Sequence, residues 1–349
     1  MMSLNEKSQM LASVGFVVSL AAVGLGTHIS MDKPSGANSA ISGAFQSMYE
    51  AGFTQANPLN TMSISAMGAF KFAAFQQAEP GAIVGKDGWL FTAEEFEVGL
   101  NFYENLSRSA TEIARVQAIL KQQGITLIPV IVPDKADVYP EHLWMDRPME
   151  VVTRRAHLLS LLAARNVAVL DAFDTLAPHK TWGGGFIKDD THWSPTGSRA
   201  VAEMIAAHHA RLDVELTSAT VTTTQGPTVN FDGDLLQFVP TGALRTAFGP
   251  AQNQIDTYTT TVEAAGGLFG DITVDVALVG TSFSAKSEWN FAGFLQDALG
   301  ADVLNFAISG EGPFRPMQDF LASDTFQNTP PKIVVWEIPA RYTSKDMNQ

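Results

Sequence analysis

Val274-Asp275-Val276-Ala277-Leu278-Val279 runs directly into Gly280-Thr281-Ser282-Phe283-Ser284, and this junction decides the fold. The first six residues are apolar apart from Asp275 and rich in β-branched valine, the pattern of a buried strand. Beyond the junction, Trp289, Phe291, Ala292, Leu295 and Leu299 fall at helical spacing. A serine between a strand and a helix projects over the sheet edge, where the helix N-terminus offers backbone N–H groups to an anion. Serine is also a common helix N-cap. The stretch alone therefore admits both a nucleophile and a cap.

The same grammar extends in both directions. Ile125-Thr126-Leu127-Ile128-Pro129-Val130-Ile131-Val132-Pro133 is a nearly continuous apolar run, as expected of a parallel strand buried on both faces. Asp134-Lys135 follows at the strand's C-terminal edge, where ligands collect in open α/β sheets. Lys135 is either a ligand-facing cation or a solvated loop charge. Helical periodicity covers 106–123, closed by Gly124, and 151–165, followed by a strand at 167–171. A Gly-rich loop (Gly183-Gly184-Gly185) leads to a helix over 197–212. Further strands are expected at 302–305 and 333–337, with a helix at 313–321 between them. This alternation predicts an α/β fold with a central, mostly parallel sheet of about five strands. Residues 213–265, rich in Thr, Gly, Asn and Gln, read as an irregular or β-rich insertion. Within 40–80 the spacing predicts helix, with Ile64, Met67, Phe70, Phe72 and Phe75 as its packing face.

Composition narrows the function. The 349-residue chain is 46% hydrophobic and 17% charged, with a net charge of −14. It has no basic cluster, which argues against nucleic acid. Repulsion also disfavours a polyanionic ligand. The absence of cysteine excludes disulfides, thiolate zinc sites and cysteine catalysis. No charged residue lies between Lys7 and Asp32, and Leu11–Leu25 is apolar or small. This is the h-region of a signal peptide or an uncleaved signal anchor. Lys33-Pro34-Ser35-Gly36-Ala37-Asn38-Ser39 reads as a linker, so the globular part is expected outside the cytoplasm. No small-x-small cleavage site stands out, which favours retention as a membrane tether. The expected organisation is a signal segment at 1–31, a linker and helical segment at 32–80, and an α/β domain at 81–349.

Of seven histidines, only His192 has acids two and three positions before it, Asp190 and Asp189, at the entrance to a helix. Acyl transfer by serine needs a base within hydrogen-bond reach and a carboxylate to orient the imidazole. It also needs N–H donors where the oxyanion forms. The backbone N–H of Ser282 is one candidate. The turn Ile308-Ser309-Gly310-Glu311-Gly312, just past a strand, is another, because glycine admits close approach.

Gly280-Thr281-Ser282-Phe283-Ser284 resembles the first block of SGNH esterases and acyltransferases. Asn305-Phe306-Ala307-Ile308-Ser309-Gly310-Glu311 resembles their second block, and Asp190-Thr191-His192-Trp193-Ser194-Pro195-Thr196-Gly197 their acid–base block. Here the acid–base block precedes the serine by ninety residues, a circularly permuted order. With Gly85-Lys86-Asp87-Gly88-Trp89-Leu90-Phe91, Pro133-Asp134-Lys135, Tyr139-Pro140-Glu141 and Trp336-Glu337-Ile338-Pro339-Ala340-Arg341-Tyr342, this order resembles the alginate O-acetyltransferase AlgJ/AlgX group. An AlgX-type member is expected to continue into a carbohydrate-binding module, so the resemblance is expected to be nearer the AlgJ branch. The resemblance implies a three-layer α/β/α SGNH-like fold. It also implies a Ser282–His192–Asp190 triad, and an oxyanion site from the N–H groups of Ser282 and Gly310. Ordinary SGNH spacing would select Asp189 instead. The usual third-block asparagine is missing, which leaves a third oxyanion donor unassigned. Lys135, Trp193, Arg341 and Tyr342 are the candidate substrate-facing residues. No metal or organic cofactor is implied.

The implied activity is O-acetylation of a periplasmic exopolysaccharide, alginate in this group, through an acetyl-serine intermediate. The implied partners are a membrane-bound O-acyltransferase that delivers acetyl, other polysaccharide-acetylation proteins, and the polysaccharide itself. The charge of −14 fits a relay that hands acetyl to another protein. The rivals are a carbohydrate acetylesterase and a non-catalytic scaffold of a secretion complex.

Overall fold

The structure, a computed structural model, describes residues 4–32, 44–179, 184–264 and 274–347. The 33–39 stretch and Gly183 lie outside the described residues. The chain forms two compact units, one of residues 1–77 with 239–249, the other of 78–238 with 250–349.

The first unit is helical: α1 (Leu4–Ser30), α2 (Ala44–Ala56) and α3 (Pro58–Phe75). Within α1, Ser13–Ser30 is long and apolar enough to cross a membrane, with a mean hydropathy of 1.5 and almost no burial. Helix α3 begins at Asn57, whose side chain accepts the Leu59 N–H, with Pro58 at the first position. Its buried residues are Gly68, Ala69 and Phe72. Gly68 is needed there, because a Cβ would lie 2.4 Å from the Pro240 carbonyl oxygen. The packing face therefore differs from the expected one. Of the expected residues only Phe72 is buried, and Ile64, Met67, Phe70 and Phe75 are exposed, because the helix docks through Gly68, Ala69 and Phe72.

The second unit starts with a hairpin of β1 (Ala82–Val84) and β2 (Leu90–Thr92), turning through Asp87 at φ +56°. Helix α4 (Phe102–Gln122) leads into β3 (Thr126–Val132), then the single turn α5 (Lys135–Val138), helix α6 (Met149–Ala163) and β4 (Leu170–Asp171). Helix α7 (Pro195–His209) precedes β5 (Ala219–Phe231) and β6 (Asn253–Ala264), an antiparallel ribbon with an irregularity between Gln225 and Thr228. The insertion is thus β-rich. Next come β7 (Val276–Val279), the short helix α8 (Ser282–Ala285), α9 (Phe291–Leu299), β8 (Val303–Asn305), α10 (Phe314–Ala322) and β9 (Ile333–Pro339). The helix expected from Trp289 is interrupted at Asn290, at φ +48°, so Trp289 lies in a separate turn.

The sheet has five strands in the order β4-β3-β9-β7-β8, all parallel. Alternate residues feed opposite cores. Val130, Val132, Leu278 and Val335 join Trp193, Val201, Ile205 and Leu295 on one face. Ile131, Ala277, Val279, Val334 and Trp336 join Ile113, Leu158 and Met317 on the other. This is the expected three-layer α/β/α architecture. Parallel pairing also puts the segments after β3, β7, β8 and β9 at one sheet edge.

Candidate active site

At that edge Ser282 is the first residue of α8. The hydroxyl of Thr281 caps the helix by accepting the Phe283 N–H at 3.3 Å. Ser282 is half-buried, and its Oγ lies 2.7 Å from His192 Nε2. His192 sits in the turn ahead of α7, where its carbonyl accepts the Ile187 N–H. Its own N–H donates to Asp190 Oδ1 at 2.8 Å, and its Nδ1 is 2.6 Å from the same oxygen. A carboxylate facing Nδ1 assigns the ring proton there. Nε2 is then left to accept from the serine hydroxyl.

Asp190 is only 1% exposed. Burial opposes its ionisation. The bonds from the His192 ring, the Asp234 N–H and the His192 N–H nevertheless hold its carboxyl below the usual carboxylate range. Between the two candidate acids, the geometry puts Asp190 on the ring. Asp189 is buried beside it, its carbonyl accepting the Leu235 N–H.

The surroundings immobilise both partners. The His192 ring lies between Trp289 and Phe283, at centroid distances of 4.4 and 4.7 Å. The indole N–H groups of Trp289 and Trp193 both donate to the Phe283 carbonyl, at 2.7 and 3.1 Å. Glu337, on β9, holds the turn from below. Its carboxylate accepts the Thr281 N–H at 2.7 Å and the Ser284 hydroxyl at 3.1 Å. Burial pushes the Glu337 carboxyl up to about 7, against the bonds from Thr281 and Ser284 and the charge of Arg341.

A second acid approaches the imidazole from the inserted segment. Asp234 accepts the Thr191 N–H and hydroxyl at 2.8 and 2.9 Å, and its other oxygen is 3.6 Å from His192 Nδ1. The ligand atoms of Asp190, His192 and Asp234 lie within 4.8 Å of one another. Both carboxylates face N–H or O–H donors, the surroundings of a hydrogen-bonded imidazole rather than of a cation. Glu337 is not among the candidate site residues read from the sequence, although its signal is there, a lone acid in an apolar strand. Nothing in the composition of 213–265 marked Asp234.

Three of the four candidate substrate-facing residues are not at a surface. Lys135 is 1% exposed, and its ammonium donates to the carbonyls of Leu90, Ile187, Lys188 and Asp190 at 2.6–2.8 Å. It ties the acid–base loop to the hairpin. Burial pulls its pKa down to about 8, against the attraction of Glu95 and Asp190. Trp193 is fully buried against Phe283. Arg341 is buried too, paired with Glu94 at 3.1 Å and lying over the Phe283 ring. Only Tyr342 remains half-buried, beside Gly312 of the glycine turn. Gly310 adopts φ +87° in an exposed loop, which is joined to the nucleophile turn through the Ile308 N–H to the Gly280 carbonyl at 3.1 Å.

With this geometry in place, the similarities are specific. The family described as SGNH hydrolase-like domain, acetyltransferase AlgX, matches residues 82–340. "Probable alginate O-acetylase AlgJ" of Pseudomonas syringae pv. tomato is 35% identical over 311 residues, covering 86% of this chain and 79% of that protein. Among solved structures, the O-acetyltransferase domain of Pseudomonas putida AlgJ superposes with a TM-score of 0.69 at 35% identity, covering 76% of this chain and 94% of that one. Pseudomonas aeruginosa AlgX gives 0.55 at 25% identity, covering 75% and 66%.

Proposed function

The chain belongs to the AlgX-type family of SGNH hydrolase-like acetyltransferases, and from that premise we propose that it transfers acetyl groups in periplasmic alginate acetylation through an acetyl-Ser282 intermediate. The observation that carries the mechanism is the unbroken line Asp190–His192–Ser282, with contacts of 2.6 and 2.7 Å.

Ser282 Oγ attacks the carbonyl carbon of an acetyl donor while its proton passes to His192 Nε2. Asp190 stabilises the imidazolium that results. The N–H groups of Ser282 and Gly310 meet the oxyanion. As the tetrahedral adduct collapses, His192 returns the proton to the leaving group, and the acetyl ester of Ser282 remains. A sugar hydroxyl then gives its proton to His192 and takes the acetyl group, and Ser282 regains its hydrogen. In this reading Tyr342, half-buried beside Gly312, meets the acceptor. The partners of this reading are a membrane-bound O-acyltransferase that supplies acetyl and the other proteins of alginate acetylation. Ser13–Ser30 tethers the chain to the inner membrane, with the α/β unit in the periplasm.

The test uses the full chain with a chromogenic acetyl ester and an alginate oligosaccharide. Mass spectrometry should find acetyl on the Ser282 peptide and on the oligosaccharide, and neither in Ser282→Ala or His192→Ala. Turnover that survives both substitutions would sink the mechanism. Acetate release with no acetylated sugar would make the chain an esterase.

A further inference from the structure

The nucleophile turn contains three hydroxyl residues in four positions, Thr281, Ser282 and Ser284, and they are not treated alike. The Thr281 hydroxyl lies 3.0 Å from Glu337 Oε2, and the Ser284 hydroxyl 3.1 Å from the same oxygen. That oxygen also accepts the Thr281 backbone N–H at 2.7 Å. The hydroxyl between them in sequence, Ser282, points the other way, to His192.

The sheet explains how one carboxylate reaches both neighbours. β7 and β9 run parallel with Val279 opposite Trp336, so the next residues, Gly280 and Glu337, meet where β7 ends. A Cβ on Gly280 would lie 2.5 Å from Glu337 Oε2 and 2.9 Å from the Glu337 Cβ. Glycine is therefore what lets the carboxylate slide under the turn.

Packing does not account for an acid here. All seven residues of β9 are buried, and Glu337 is the acidic one among them. A buried carboxylate carries a desolvation penalty that a well-packed apolar residue would not. Its compensation comes from the turn and from the charge of Arg341. The acid is thus matched to the turn, not to the core.

We propose that Glu337 is a positioning residue that clamps Thr281 and Ser284 so that the Ser282 hydroxyl alone of the turn is presented to His192. This rests on the reading of Ser282 as nucleophile. The side chain is fully buried and acts through Thr281 and Ser284.

The test compares wild type, Glu337→Gln and Glu337→Ala in the full chain with a chromogenic acetyl ester. Thermal unfolding at pH 8 and amide hydrogen exchange of the segment 280–285 are followed in parallel. Glutamine fills the same space and can still accept the Thr281 N–H, but it no longer accepts from every donor. The expected kcat is about tenfold lower for Gln and on the order of a hundredfold lower for Ala, with KM for the ester within about twofold. Glu337→Gln should unfold at or above the wild-type temperature at pH 8, because it removes a buried charge. A purely structural residue would lose stability together with activity. Exchange at 280–285 should quicken in Ala and less in Gln. Wild-type kcat in Glu337→Gln, a fall in its unfolding temperature in step with kcat, or unchanged exchange in Glu337→Ala overturns the proposal. If wild type itself shows no turnover, the nucleophile reading falls, and the exchange measurement still decides whether Glu337 orders the turn.

Discussion

The imidazole of His192 lies flat against the indole of Trp289, with centroids 4.4 Å apart and planes 19° from parallel. The same indole donates its N–H to the Phe283 carbonyl at 2.7 Å. One side chain thus fixes the ring plane of the base and the backbone of the nucleophile turn. Trp289→Phe keeps an aromatic face but removes the N–H and part of the stack. We expect kcat for an acetyl ester to fall about tenfold, since small displacements of reacting groups are costly. Stability should fall by about 1–3 kcal/mol from the lost hydrogen bond and packing. Steady-state kinetics with urea unfolding checks both, and wild-type kcat would remove Trp289 from any role in alignment.

Gly280→Ala addresses the floor of the turn. The new methyl would lie 2.5 Å from the Glu337 carboxylate and 3.0 Å from the Ser284 hydroxyl. Glu337 is on a central strand and cannot move away, so the turn must. We expect a loss of about 2–4 kcal/mol in urea unfolding and at least a hundredfold loss of ester turnover. A variant that folds and turns over normally would show that the turn tolerates displacement.

The meeting of Ser282 with His192 was readable because each followed a pattern that survives folding. The strand-to-helix junction puts Ser282 at the sheet edge, and an acid two residues before His192 can reach its own imidazole without help from another segment. Lys135 shows where that logic stops. The edge rule located its backbone, but a four-carbon side chain can turn inward, and here four carbonyls take its ammonium. Arg341 and Trp193 were likewise placed near the site, yet both are buried against Phe283. The contact of Asp234 with the acid–base loop depends on how the inserted ribbon returns, which no local periodicity encodes.

Asp190 and Asp189 are adjacent, both buried, and separable by experiment. Asp190→Asn offers the imidazole an amide in place of the carboxylate and removes the charge that stabilises imidazolium. We expect kcat to fall on the order of 10³–10⁴-fold, as for other orienting carboxylates, with little change in fold by circular dichroism. Asp189→Asn should keep more than about a tenth of the activity, because it is the Asp190 carboxylate that contacts the imidazole. The reverse ranking in a side-by-side kinetic comparison would transfer the orienting role to Asp189.

Stability should depend on pH in a definite direction. Burial pushes the carboxyls of Glu95, Asp137 and Glu337 up to about 7, 6 and 7. In the unfolded chain such groups titrate near about 4. Between these limits the folded chain holds protons that the unfolded chain has released, so stability falls as pH rises. Their contribution is complete below about pH 4 and lost once pH has risen past about 7. Asp190, Glu94 and Asp275 act in the opposite sense. Each is held below the ordinary carboxylate value by its hydrogen-bond and ionic partners despite burial. Their contribution is present above about pH 4 and lost as pH falls through the lowered values. The two sets together place the stability maximum in mildly acidic solution. Urea unfolding at pH 5 and pH 7.5 should show the chain less stable at the higher pH by on the order of 1–3 kcal/mol. Glu95→Gln should reduce that difference, because it deletes one of the three raised groups. A midpoint that rises from pH 5 to pH 7.5 would mean that the buried carboxyls are ionised at little cost, and that the pairing of Glu95 with the α5 N–H groups of Lys135 and Ala136 outweighs its burial.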